Sequence, residues 1–327
     1  MEDIRVENLP PPPGVISSIK AGFDAIASHI TAILMPLLLN LFLWLGPRLR
    51  MVELFESIKG DVVSIWQVGG ISTEDIRVML DWYEATIPSI NLFWLGRTLP
   101  IGIPSLLSGT SATPLGEPVL WQVSGLSLPL WFALIVLIGW VGGALYYRNV
   151  ASAALADKVT SIGPFHAVVQ TILLSTVCNL LLLTLSLPLM FILFVSMQIS
   201  VVLGNLVVLF MALASVWVIV PLFFWAHGVF LRRQNVLTSI LSSVQLTRFT
   251  LPTSSIFVMV VFLLAYGLNF LWHIPPEDSW ITLLGIFGHS FVTTALLAGS
   301  FIYYHEMSTW IQGVLDRVRA KKIVKQA

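Results

Sequence analysis

The chain has 327 residues, of which 57% are hydrophobic and only 10% charged; 17 basic and 17 acidic side chains give a formal net charge of zero. A soluble domain carries about 25% charged residues, so this composition excludes an ordinary water-soluble domain. The single cysteine, Cys178, excludes a disulfide within the chain.

Residues 1–24 mix Glu2, Asp3 and Glu7 with Arg5 and Lys20 and lack the pattern of a cleavable signal. A retained first span is therefore expected. Pro10 to Pro13 predict a short, stiff polyproline stretch. Ile16, Ile19, Phe23 and Ile26 recur at helical spacing and predict an amphipathic surface helix.

Six apolar runs follow, at 25–46, 128–147, 165–195, 204–231, 254–272 and 280–304. Each matches or approaches the ~20 residues that a helix needs to cross a ~30 Å hydrocarbon core. The expected fold is all-α: a polytopic transmembrane bundle of six spans, with interfacial amphipathic helices and one long extracytoplasmic loop at 47–127. The whole chain is expected to form one integral membrane domain.

Within that loop, Ser72 and Asp75 form a capping box. Ile76, Met79, Leu80, Tyr83 and Ile87 then recur at helical spacing, and Pro88 ends the run. Residues 90–107 are apolar but broken by Gly96, Pro100, Gly102 and Pro104. This stretch is too interrupted to be a span and is expected to lie on the outer bilayer surface or to cap the bundle. Residues 108–118 read as a loop. In the second run, Gly139 and Gly143 flank Trp140 and Gly142, a small-residue stripe that lets helices approach closely.

Residues 165–231 hold no Asp, Glu, Lys or Arg over 67 positions. Two long helices or three short ones would fit. Three would place the later basic clusters outside, so two are expected, kinked at Pro188 and Pro221 and projecting outward to support the 47–127 loop. In the 232–250 link, Leu237, Ile240, Leu241 and Val244 share one helical face, opposite Thr238, Ser239, Ser242, Ser243 and Gln245. Arg232, Arg233 and Arg248 flank it. Such a helix is expected to lie at the cytoplasmic interface against anionic lipid. The tail repeats the pattern with Met307, Trp310, Ile311, Val314 and Leu315 before a basic end. A membrane-protein partner docking there, or a homo-oligomer, stays open.

Charge sorting gives the orientation. Arg5, Lys20, Arg148, Lys158, Arg232, Arg233, Arg248, Arg317, Arg319, Lys321, Lys322 and Lys325 fall on one side, 12 of the 17 basic residues. Arg48, Arg50, Lys59, Arg77 and Arg97 fall in the long loop. By the positive-inside rule both termini are expected in the cytoplasm, in the inner membrane of a bacterial cell. Arg48 and Arg50, close to the end of the first span, count against this. Asn40–Trp44 and Asn269–Trp272 echo each other at the ends of two outward spans, which hints at an old duplication.

The candidate chemistry is sparse. His29, His166, His227 and His305 fall near the cytoplasmic ends of four runs. Converged, they would suit a metal or haem, although interfacial imidazoles more often reach for water or headgroups. His289 lies near mid-span, where an ionisable group usually faces protein; Asn40 and Asn179 are its expected neighbours. With Asn269 these form the polar intramembrane set, read as a packing cluster or a polar track. No span centre holds Asp, Glu, Lys or Arg, which argues against an ion-coupled pump. No nucleotide, hydrolase or thiol-redox motif occurs, no cofactor is implied, and nothing points to nucleic acid.

The stretch from about 148 to 250, with its small-residue helix from Val236 to Ser243, resembles the membrane domain attached to some glycerophosphodiester phosphodiesterases. That resemblance implies a six-span bacterial membrane protein. No phosphodiesterase domain is present, so no active site follows. The expected role is non-enzymatic: structural, accessory or lipid-associated. A permease or transport subunit is the alternative, and a membrane haem or metal protein the third.

Overall fold

The computed structural model describes residues 11–107, 113–155 and 162–324, with side chains as far as 317. Arg5, Pro10, residues 108–112 of the 108–118 loop, Lys158 and the basic residues from Arg319 onward therefore lie outside the described side chains. The described residues are helical almost throughout, with one two-stranded ribbon among them. The helices are α1 (Val15–Ser28), α2 (Leu34–Leu45), α3 (Val52–Val68), α4 (Thr73–Thr86), α5 (Leu128–Ala154), α6 (Pro164–Ile199), α7 (Val201–Arg232), α8 (Val236–Trp272) and α9 (Thr282–Val324). Five of them are long and apolar enough to cross a membrane, or six if the bent α1–α2 pair counts as one span. This is a membrane protein.

The expected first span is corrected. Residues 25–46 are not one helix: the chain turns by 96° between α1 and the segment Ile30–Leu45. The break falls at His29 (φ −127°, ψ 58°), and Pro36 then disfavours a regular α-helical turn over Ile30–Ile33, which is 3-10. In a continuous helix the Pro36 ring would meet the Ala32 carbonyl, and it has no N–H to donate. Here Pro36 sits in the first turn of α2, where no donor is needed. The amphipathic face of α1 is also placed differently. Ile26 is fully buried and Ile19 and Phe23 pack on the core, while Ile16 stays exposed. The face meets α9, and Gly22 lies so close to Ala295 and Gly299 that an added Cβ would overlap their backbone.

The uncharged stretch forms two helices, not three. The turn between them shrinks to Ser200, whose hydroxyl caps α7 by accepting from the Val202 N–H at 3.2 Å. At 1.5 Å per residue, α6 and α7 are roughly 54 and 48 Å long. Their far halves stand largely bare, with Phe191 and Phe210 both about two-thirds exposed.

The expected 232–250 helix and fifth span join into α8, broken at Thr250 (φ −127°, ψ 21°) just before Pro252. Hydroxyls add bonds to carbonyls there: Thr250 donates to the Leu246 carbonyl (2.8 Å) and Thr253 to the Thr250 carbonyl (3.0 Å). The serine face of α8 packs inward against α7. Ser239 donates to the Trp225 carbonyl (2.5 Å) and Ser243 to the Pro221 carbonyl (2.6 Å). Leu237, Leu241 and Val244 are exposed. Ser239 and Ser243 thus meet protein rather than water, while Leu237, Leu241 and Val244 face outward together with Thr238 and Gln245.

At the far end of α2, the strand Arg48–Arg50 pairs in parallel with Leu120–Gln122. Arg48 is buried, and its guanidinium donates to the last carbonyls of α2, those of Leu43 and Trp44. This is a cationic C-cap. Burial, and then the neighbouring Arg50, hold its pKa below the usual arginine value, with Glu277 acting the other way. The sequence reading assigns no element to 51–71, where α3 lies. The Ser72 cap on α4 is present, accepting from the Asp75 N–H at 3.1 Å. Phe55 of α3 stacks on Tyr83 of α4, and Lys59 pairs with Glu84.

The glycine stripe of α5 receives an irregular segment rather than a helix. A Cβ at Gly139 would overlap the Gly96 carbonyl, and one at Gly143 would lie 2.8 Å from the Ile101 oxygen. By contrast, Gly60, within α3, has open space around it. Gly139→Ala should therefore lower the thermal midpoint of the detergent-solubilised protein, by about 1–3 kcal/mol of overpacking. Gly60→Ala should raise it slightly, since alanine favours a helix interior by up to ~1 kcal/mol. Equal midpoints for the two variants would refute this packing.

Candidate functional site

Residues 92–107 enter the bundle and leave it at the same end, rather than lying on the outer bilayer surface or only capping the bundle, the two arrangements expected for this stretch. The segment starts with a 3-10 helix, Leu92–Arg97, capped by Asn91, whose side-chain oxygen accepts from the Phe93 N–H (3.3 Å) and the Leu49 N–H (3.0 Å). It descends α5 from Ile135, beside Gly96, to Tyr147, whose hydroxyl donates to the Pro100 carbonyl at 3.2 Å. Twelve residues of helix make this descent roughly 18 Å. Ile101, near the bottom, is completely buried.

Irregular backbone at that depth needs partners for its polar groups. The asparagines supply them. Asn40, on α2, accepts through Oδ1 from the Ser105 hydroxyl (2.9 Å), the Leu106 N–H (2.7 Å) and the Leu107 N–H (3.3 Å). Its amide donates to the Pro36 carbonyl at 2.7 Å. Asn179, on α6, donates to the Leu99 carbonyl (3.3 Å) and the Ser175 carbonyl (2.8 Å). Thr98 donates to the Ile101 carbonyl across the tip. Gly102 folds back so tightly on Arg97 and Thr98 that an added Cβ would overlap their carbonyl oxygens.

His289 faces protein, as expected, but its partner is Asn269: Nδ1 lies 2.8 Å from the Asn269 Oδ1. Asn40 and Asn179, its expected neighbours, hold the inserted segment instead. The polar set therefore splits into a His289–Asn269 pair and two separate backbone clamps. The four histidines also part company. His29 and His166 are exposed, His305 is half-buried, and His227 is buried with Nε2 2.8 Å from the Ser300 hydroxyl. Among the described residues no three His, Cys, Asp or Glu side chains come together as metal ligands.

The inserted segment walls a cavity of about 790 Å³ with α5, α6 and α9. A second cavity, of about 540 Å³, lies among α6, α7, α8 and α9. The two share Leu99, Pro100, Tyr147, Thr293 and Leu297 as a common wall. Ligand sites commonly hold 300–1,000 Å³. The rim of the larger cavity, at Phe132, Leu180 and Leu183, is exposed, so it opens sideways from the bundle. Its lining is mainly aliphatic and aromatic, with one charge, Arg97. That guanidinium lies 5.2 Å from the centre of the Trp94 ring and within electrostatic range of His289 and Tyr266. Among the described residues no carboxylate pairs with it.

Arg97 is the residue that the sequence reading misses. Its signal is a lone cation inside an otherwise apolar, Gly- and Pro-broken run, beside a glycine stripe able to receive that run. The chain matches no known family model, and no curated protein or solved structure shows significant similarity to it.

Asn40→Leu keeps the side-chain size but strands the Leu106 and Leu107 amides. An unmade buried hydrogen bond costs ~1–3 kcal/mol, so the thermal midpoint should fall by about 5 °C or more, using ~2–4 °C per kcal/mol. Protease cleavage should also appear between residues 94 and 107. A stable, uncleaved variant would rule out the clamp. For the other pair, His289→Leu and Asn269→Leu should each destabilise, and the double variant should cost less than their sum, because neither partner is then left unpaired. Strict additivity would show that the pair is not coupled.

Proposed function

We propose that the protein is a non-enzymatic, lipid-associated multi-pass membrane protein that holds an apolar molecule in the side-opening cavity under residues 94–104. The observation that carries this reading is the cavity itself, of about 790 Å³ and walled largely by apolar side chains. A site open sideways from a helix bundle exchanges its contents with the lipid phase rather than with water. The likeness of residues 148–250 to the membrane domain of some phosphodiesterases of glycerophosphodiesters fits the same role.

The termini lie in the cytoplasm of a bacterial cell, with residues 47–127 outside the inner membrane; the 12 basic residues sorted to one side support this. The apolar outward face of α8, at Leu237 and Leu241, then rests on the cytoplasmic leaflet. A second reading, a permease for the same molecule, is favoured by one observation: irregular backbone lining a cavity at membrane depth is a feature of carriers.

Two measurements test these statements. Lipid extracts of the purified wild-type protein should hold a bound amphiphile that Val136→Trp, which fills the cavity, removes. Identical extracts from a correctly folded variant would count against the cavity. For orientation, single cysteines at Glu117 and Thr309, both exposed, are introduced in a Cys178→Ser background. An impermeant thiol reagent on intact cells should label Glu117→Cys and spare Thr309→Cys, and the reverse pattern would invert the topology.

A further inference from the structure

We infer that the cavity recognises a single-chain anionic amphiphile, with its head at Arg97 and its chain lying along α5 toward Tyr147. This rests on the cavity reading above and adds the chemistry of the occupant.

Charge comes first. Among the described residues, Arg97 is the only Lys, Arg, Asp or Glu lining the cavity. A cation among apolar walls is costly unless an opposite charge joins it, and among the described residues none is supplied by the protein. Trp94 lies against the guanidinium as a cation–π partner. That contact uses the ring face and spends none of the N–H donors, which remain to grip a carboxylate or phosphate in a forked pair.

Length comes second. Arg97 adjoins Gly96, which lies by Ile135 and Gly139 in the half of the cavity nearer the start of α5. From Phe132 to Tyr147, both lining residues, α5 runs roughly 22 Å. One leaflet of hydrocarbon is ~15 Å deep, so one acyl chain fits with room for its head. The chain's far end reaches Tyr147 and Leu297, the wall shared with the second cavity. The exposed rim at Leu180 and Leu183 gives lateral entry.

The test is equilibrium binding to the full-length protein in detergent, at a pH where a fatty acid is ionised. The probes share a palmitoyl chain: palmitate, palmitoyl lysophosphatidate, monopalmitoylglycerol and dipalmitoyl phosphatidate. Both single-chain anions should bind at least about tenfold more tightly than the neutral glyceride. Arg97→Gln should bring them down to the glyceride's level, Arg97→Lys should recover part of the loss, and Val136→Trp should abolish all binding. The tighter of the two single-chain anions identifies a carboxylate or a phosphate as the natural head. Equal binding of the anions and the glyceride by the wild type would overturn recognition by charge while leaving the apolar cavity intact. Tightest binding by the two-chain lipid would overturn the single-chain assignment. Absence of saturable binding for every probe would remove the cavity reading itself. The head-group series on the wild type holds the test open if Arg97→Gln fails to fold.

Discussion

Backbone that leaves the helix inside an apolar bundle must find a partner for each exposed N–H and C=O, because neither lipid nor hydrocarbon side chains supply one. Residues 92–107 impose that demand here, and several otherwise unrelated features answer it. Gly139 and Gly143 remove the side chains that would keep the segment off α5. Asn40 offers one oxygen to three donors, and Asn179 and Tyr147 each reach a carbonyl. Arg48 closes the end of α2 that carries Asn40. The cavity follows from the same arrangement. A segment of irregular backbone cannot fill the space between α5 and α6 as a helix would, so the space beneath it stays open.

Side-chain hydroxyls also bond backbone carbonyls at the other end of the molecule. The bonds lie near Pro221 and Pro252, which sit inside α7 and α8. Ser243 reaches the Pro221 carbonyl, Ser239 the Trp225 carbonyl one turn on, and Thr250 the Leu246 carbonyl. The result joins the first half of α8 to α7 through short polar contacts and turns its leucines outward. An amphipathic pattern in such a protein has two apolar surroundings to choose between, lipid and core. The small hydroxyl side chains pack at close range, and the leucines take the wider environment.

The presence of the long helices is legible from hydrophobic length alone, because an uninterrupted apolar run from 128 or from 165 has no competing conformation; their ends are less so, since α5, α8 and α9 run on into polar sequence. The cap at Ser72 is legible because its hydrogen bond is local. The bend at His29 is less so: Pro36 signals a helix start, but the length of the 25–46 run masks it. The site is the least legible part. Asn40 and Ser105 are 65 residues apart, and Gly96 and Gly139 are 43 apart. No periodicity links them, and only the chain's path through the bundle brings them together. The histidines mislead for the opposite reason. Their similar depths along separate helices suggest a shared site, yet equal depth does not place side chains on facing surfaces, and His166 looks outward while His227 lies among Phe223, Phe224 and Phe301.

Arg48 and Arg50 oppose the charge sorting that supports the proposed orientation, and the structure gives a reason for the presence of Arg48. Both are buried in the ribbon that ties Arg48–Arg50 to Leu120–Gln122. The last carbonyls of α2 end in a region covered by Trp44, Leu106 and Leu107, where water is scarce. A lysine there would reach them with a single ammonium, whereas the forked guanidinium of Arg48 serves the Leu43 and Trp44 carbonyls together. Charge sorting is a sum over loops rather than a condition on each residue. Two cations near the wrong end are compatible with a 12-to-5 imbalance when removing Arg48 would leave the last carbonyls of α2 without their donor.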